Sequence, residues 1–137
     1  MNLLTLPLTA AISPAAATTP AKLNGTPRNL TVQANFTWGS GGTTADAYLQ
    51  TSLDGGLTWT DIANFHFTTS SARFVFNLNA QTPVTTEYTP TNGAIAANTC
   101  KDGVLGPQFR VLYQSSGTYA GTTLAVDVQG DQIPSFP

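Results

Sequence analysis

One histidine and seven carboxylates are the residues that could do acid–base chemistry. His66 stands in the run Asn64-Phe65-His66-Phe67, and the carboxylates are Asp46, Asp54, Asp61, Glu87, Asp102, Asp127 and Asp131. A Ser-His-Asp triad has one histidine to build on and abundant serines, but no nucleophile motif accompanies them. A two-histidine metal site is impossible with a single histidine. The carboxylates never recur at a motif spacing. Glycoside hydrolysis needs two facing carboxylates, and spacing alone leaves open a spatial pair such as Asp61 with Asp127. Cys100 is the only cysteine, so no internal disulfide and no thiolate zinc site can form. These residues lead us to expect no catalytic group, no metal and no cofactor. The aromatics Trp38, Trp59, Tyr48, Tyr88, Tyr113 and Tyr119 raise sugar stacking as an alternative, although most fall where core packing explains them better. Asn29-Leu30-Thr31 and Asn35-Phe36-Thr37 fit the glycosylation sequon, which an Asn/Thr-rich chain produces by chance.

The sharpest local motif is Ser52-Leu53-Asp54-Gly55-Gly56-Leu57-Thr58-Trp59. It resembles the Asp-box, Ser-x-Asp-x-Gly-x-Thr-Trp, of sialidase-like propellers. The chemistry of such a turn is structural. Ser52 and Asp54 satisfy turn amides, Gly56 takes a positive φ, Thr58 closes the loop and Trp59 packs beneath the hairpin. A propeller needs several blades of about 40 residues, so this chain is too short to be one. The motif identifies a hairpin.

The elements around it read as strands. Leu30, Val32, Ala34, Phe36 and Trp38 alternate with polar residues, the pattern of a half-buried strand. Gly39 to Gly42 breaks that run. Residues 46–52 and 58–68 are β-rich on either side of the Asp-box turn. Phe74, Phe76 and Leu78 form another alternating face, and the Pro-containing run 83–89 suits an edge strand. Phe109, Val111 and Tyr113, then Leu124, Val126 and Val128 across the 115–121 turn, complete about seven strands. No helical period occurs. So many one-faced strands must find a second layer, which predicts an all-β sandwich, immunoglobulin-like or jelly-roll, over residues 28–137.

Residues 1–27 differ in composition, with prolines at 7, 14, 20 and 27 among Ala and Thr. That density forbids a helix and favours extended backbone. The segment predicts an arm outside the sandwich, removable without unfolding it, with Leu3, Leu4, Leu6, Leu8 and Ile12 as its assembly contacts on a neighbouring subunit. Residues 1–17 look like a secretory signal at first, but they carry no positive charge and Pro7 interrupts the apolar stretch. The segment is therefore expected to belong to the working protein.

Charge narrows the partners. Five Lys/Arg stand against seven Asp/Glu among 137 residues, far below the usual quarter of a soluble protein. The five cations are scattered singly, which argues against nucleic acid and against a basic membrane patch. An uncharged Thr/Asn/Ala skin can be buried in a large contact without desolvating ions.

The run from Tyr48 through the Asp-box to Asp61-Ile62-Ala63, followed by Leu105-Gly106-Pro107-Gln108-Phe109-Arg110-Val111 and the Ser116-Gly117-Thr118 turn, resembles a segment of small virion structural proteins of tailed bacteriophages. The resemblance spans roughly residues 46 to 128 and excludes the N-terminal segment. It implies a head- or tail-associated β-sandwich, and first of all a capsid decoration (cement) protein on the capsid exterior. Its implied partners are the major capsid protein or other virion proteins, together with copies of itself, a trimer favoured. A carbohydrate-binding module or a tail- or neck-associated adhesion protein is the alternative.

Overall fold

The computed structural model describes residues 1–134 as eleven antiparallel strands with no helix. They are β1 (Asn2–Leu8), β2 (Ile12–Ala17), β3 (Ala21–Lys22), β4 (Asn29–Thr37), β5 (Ser40–Gly41), β6 (Thr44–Ser52), β7 (Thr60–Phe67), β8 (Ala72–Asn79), β9 (Gln108–Ser116), β10 (Tyr119–Ala120) and β11 (Thr122–Gly130). One sheet runs β1-β11-β4-β8. The second runs β2-β9-β6-β7, with β3 also on β9, and β5 pairs with β10 in a two-stranded ribbon. The two large sheets pack face to face as a β-sandwich.

The strand period accounts for the core. Leu30, Val32, Ala34 and Phe36 of β4 lie opposite Leu78, Phe76, Phe74 and Ala72 of β8. On the other side they meet Gly130, Val128, Val126 and Leu124 of β11, so one face of three strands is apolar in register. Ala45, Ala47, Leu49, Phe65, Phe67, Phe109 and Val111 answer from the second sheet, all buried. Phe36 stacks on Phe67 at 4.8 Å between ring centroids and meets Tyr119 edge-on at 5.8 Å. The 39–42 break becomes the β5 ribbon, and the 115–121 turn supplies its partner β10.

The expected N-terminal arm is not an arm. β1 pairs with β11 from Asn2 to Leu8, while β2 and β3 pair with β9. The first 22 residues thus add an edge to each sheet of their own chain. Leu4 and Leu8 are core residues, and Leu3, Leu6 and Ile12 pack against the core. The physical reason is visible in retrospect. Leu4, Leu6 and Leu8 keep the same period of two as the later strands, and proline is tolerated on an edge strand, where Pro7 sits. Pro14 falls in the irregular stretch of β2 between Ile12 and Ala16. The composition change near residue 27 therefore marks no structural boundary.

The 83–89 run is not an edge strand either. Residues 80–107 form a long connection whose middle lies along β7. Asp61 N–H donates to the Thr91 carbonyl, Asn64 N–H to that of Thr99 and Lys101 N–H to that of Ile62, at 2.8–2.9 Å. The connection covers the β7 edge without becoming a regular strand.

Candidate functional site

The five residues of the Asp-box turn come together where β6 turns into β7. Asp54 Oδ1 accepts from the Ser52 hydroxyl at 3.0 Å and the Thr58 amide at 2.9 Å, while Oδ2 accepts from the Thr58 hydroxyl at 2.6 Å. Ser52 Oγ accepts the Gly56 amide at 2.8 Å. Gly55 and Gly56 have φ of 75° and 95°, the left-handed region that glycine reaches without strain. The Thr58 hydroxyl and then its amide hold the Asp54 carboxyl below its usual pKa. Trp59 is buried below the turn, and the Arg110 guanidinium lies over its ring at 4.5 Å. This clamp leaves Leu53 and Leu57 in solvent, 65% and 84% exposed. Leu3, Leu4, Leu6, Leu8 and Ile12 are not gathered here; they belong to the strands and packing described above.

A row of polar side chains beside the turn went unnoticed in the sequence. Asp61 accepts from the backbone amides of Gly93 and Ala94 at 2.8 Å and of Ile95 at 3.2 Å. The Thr91 hydroxyl and Gln50 Nε2 also donate to it, at 2.9 and 2.8 Å. Gln50 Nε2 donates in addition to Asn92 Oδ1, and Gln50 Oε1 accepts from Arg110 Nε at 2.7 Å. The chain Trp59–Arg110–Gln50–Asp61 thus fastens residues 91–95 onto the five-stranded sheet. Burial pushes the Asp61 carboxyl up, but the Ala94 and Gly93 amides with Gln50 and Thr91 more than offset it and hold its pKa below the ordinary value. In sequence, Gln50 and Asp61 lie in the two β-rich runs that flank the turn. No spacing signal tells that a loop 30 residues on covers them.

Asp46 and His66 face each other directly on β6 and β7, with His66 Nδ1 and Asp46 Oδ1 2.7 Å apart. Ser13, Ser115 and Ser116 line a depression of about 240 Å³ with Asp46. In the strand order β2-β9-β6-β7 those serines lie across Asp46 from His66. A triad requires the histidine between the other two, so this order does not make one. Asp61 and Asp127 belong to different sheets with the core between them, which removes the facing-carboxylate pair considered above.

Most carboxylates hold the chain together. Asp102 accepts the Asn79 amide, Asp131 the amides of Arg28 and Asn29, and Asp127 the Asn2 side-chain amide. Among the described residues, no three His, Cys, Asp or Glu side chains cluster to hold a metal ion. Of the aromatics, Tyr48, Trp59 and Tyr119 are buried, and Tyr88 carries Lys101 over its ring at 4.7 Å. A groove of about 500 Å³ on the outer face of the four-stranded sheet is lined by Thr31, Gln33, Val75, Asp127 and Gln129, with no aromatic platform.

No family model, curated protein or solved structure matches this chain.

Proposed function

We propose that this chain is a non-enzymatic virion structural protein of a tailed bacteriophage, a decoration protein that binds the capsid exterior and stabilises the head lattice. The observation that carries the reading is the Asp-box hairpin, which is locked internally and holds two leucines out in water. A turn whose polar groups are bonded to one another has its conformation set before contact, so docking it costs little ordering entropy. Leu53 and Leu57 are the apolar anchors it offers to the major capsid protein. The low charge of the chain fits the same role, because few ions must be desolvated when the surface is covered. The N-terminal strands have no part in this docking.

Co-sedimentation with particles that lack the protein tests the proposal. Wild-type chain is expected to sediment with the particles. The double variant Leu53→Ser, Leu57→Ser is expected to bind at least about a hundredfold more weakly, given roughly 1.5 kcal/mol or more for each of the two buried leucines. Its circular dichroism should be unchanged, since both side chains are exposed. Particle binding equal to wild type by the double variant, or no binding by wild type, sinks the proposal. Glycan retention by the wild-type chain in place of particle binding would favour the adhesion alternative.

A further inference from the structure

We infer that the free edge of β8 is a self-association site, where a second copy of the chain adds antiparallel about Val75 and continues the four-stranded sheet. The inference stands independently of the virion reading. It begins with the direction of the backbone groups. Ala80 N–H donates to the Arg28 carbonyl, and the β4–β8 register runs without a shift from Asn29–Asn79 to Phe36–Ala72. Residues of even number in β8 therefore turn their amides and carbonyls towards β4. Arg73, Val75 and Asn77 turn theirs away. The Asn79 amide points the same way and is taken by Asp102. Among the described residues nothing bonds the outward amides of Arg73, Val75 and Asn77.

This edge lacks the usual protection. Residues 72–79 contain no proline, no lysine and no bulge, and their single charge is Arg73. The β7 edge of the other sheet, by contrast, is covered by the 91–101 segment. Val75 is 55% exposed and Phe74 40%, although Phe74 stacks on Phe67 at 5.5 Å on the core side.

The occupant follows from register. Three outward residues are available, bounded at one end by the Asp102 clamp on Asn79. Placing Val75 against Val75 of a second copy puts Arg73 against Asn77 at both ends. That alignment pairs all the free groups, in about six hydrogen bonds, whereas a shift by one residue either way pairs fewer. It sets Phe74 beside Phe76 of the other copy on one face, a cross-strand aromatic pair that covers the exposed ring. The two Arg73 residues then lie four positions apart along the strand, about 13 Å, beyond the screening length of physiological salt. Alignment on Arg73 would oppose the like charges. The strand is thus self-complementary about one point, as a two-fold contact requires. A single strand pair is a small interface, so the dimer is expected to be weak and concentration-dependent.

Sedimentation velocity on the full chain tests it. The mass should rise from monomer to dimer with concentration, and Val75→Pro should weaken the dimer about thirtyfold by deleting the central hydrogen bond of each copy. The Val75 amide serves no bond within its own chain, so V75P keeps the internal ladder. Hydrogen exchange on the wild-type protein gives a second reading that needs no variant. The amides of Arg73, Val75 and Asn77 should gain protection as concentration rises, while neighbouring even residues stay protected throughout. A monomer at sub-millimolar concentration, a trimer, or a dimer whose three edge amides exchange as freely as in dilute solution overturns the inference.

Discussion

At the scale of single residues, carboxylates in this protein act as anchors for backbone amides. Asp54, Asp61, Asp102 and Asp131 each accept at least one main-chain N–H, and their pKa values are all lowered. A carboxyl with a folded pKa below its unfolded value contributes stability above the unfolded value, near 3.9, and loses it as the pH falls through the folded value. The melting temperature is therefore expected to drop on acidification below about pH 4 and to be flat with respect to these groups above about pH 5. Asp61→Asn separates the central anchor from the others. It places an amide donor against the Ala94 and Ile95 N–H groups, so at neutral pH it should cost roughly 1 to 3 kcal/mol. Its acid dependence should be shallower than that of wild type. Denaturant melts at pH 7 and pH 3 measure both effects, and an unaltered acid limb in the variant would take Asp61 out of the account.

Among the elements, the edge strands departed furthest from expectation. β1 has the period-two leucines of any half-buried strand, yet Pro7 and its terminal place suggested an arm. Pairing with β11 explains both, because an edge strand needs only one neighbour and tolerates a missing amide on its open side. Leu8, 2% exposed, is consequently as much a core residue as Leu124. Leu8→Ala is expected to destabilise the protein by about 2 to 4 kcal/mol, and removal of residues 1–20 to leave it unfolded by near-ultraviolet circular dichroism. A truncated chain that melts cooperatively near the wild-type temperature would restore the arm. The 80–107 connection makes a related point. It shields the β7 edge through backbone bonds and holds its turn with Gly93, at φ 79°, whose added Cβ would lie 2.8 Å from Leu112 Cδ2. No strand propensity is needed for that, and the run 83–89, expected as an edge strand, lies outside the residues that make those bonds.

For the molecule as a whole, topology sets the folding kinetics. Asn2 pairs with Asp127, and β2 with β9, so the first and last thirds of the chain must meet before either sheet is complete. Such non-local pairing carries a large loop-closure entropy before its contacts repay it. Refolding is expected in milliseconds to seconds, with β1 amides protected no earlier than those of the β6–β7 hairpin, whose ends the Asp-box turn brings together. Pulsed hydrogen exchange with stopped-flow mixing measures this, and sub-millisecond folding would contradict it.

Local chemistry made much of this protein legible from its sequence. Strand period follows from which side chains can leave water. Hence the faces of β4, β8, β9 and β11 and the all-β class were readable residue by residue, as was the turn at Ser52–Trp59, whose bonds span only a few positions. Tertiary structure alone decided what depends on distant partners: that β1 and β2 close the two sheets, that residues 91–95 bury Gln50 and Asp61, and that Ser13 and Ser115 fall on the far side of Asp46 from His66. An alternating strand shows its apolar face identically whether it edges its own sheet or a neighbour's. A polar residue on its other face has the same pattern whether water or a loop satisfies it. Periodicity records burial, and the identity of the covering partner enters the free energy only once the chain has folded around it.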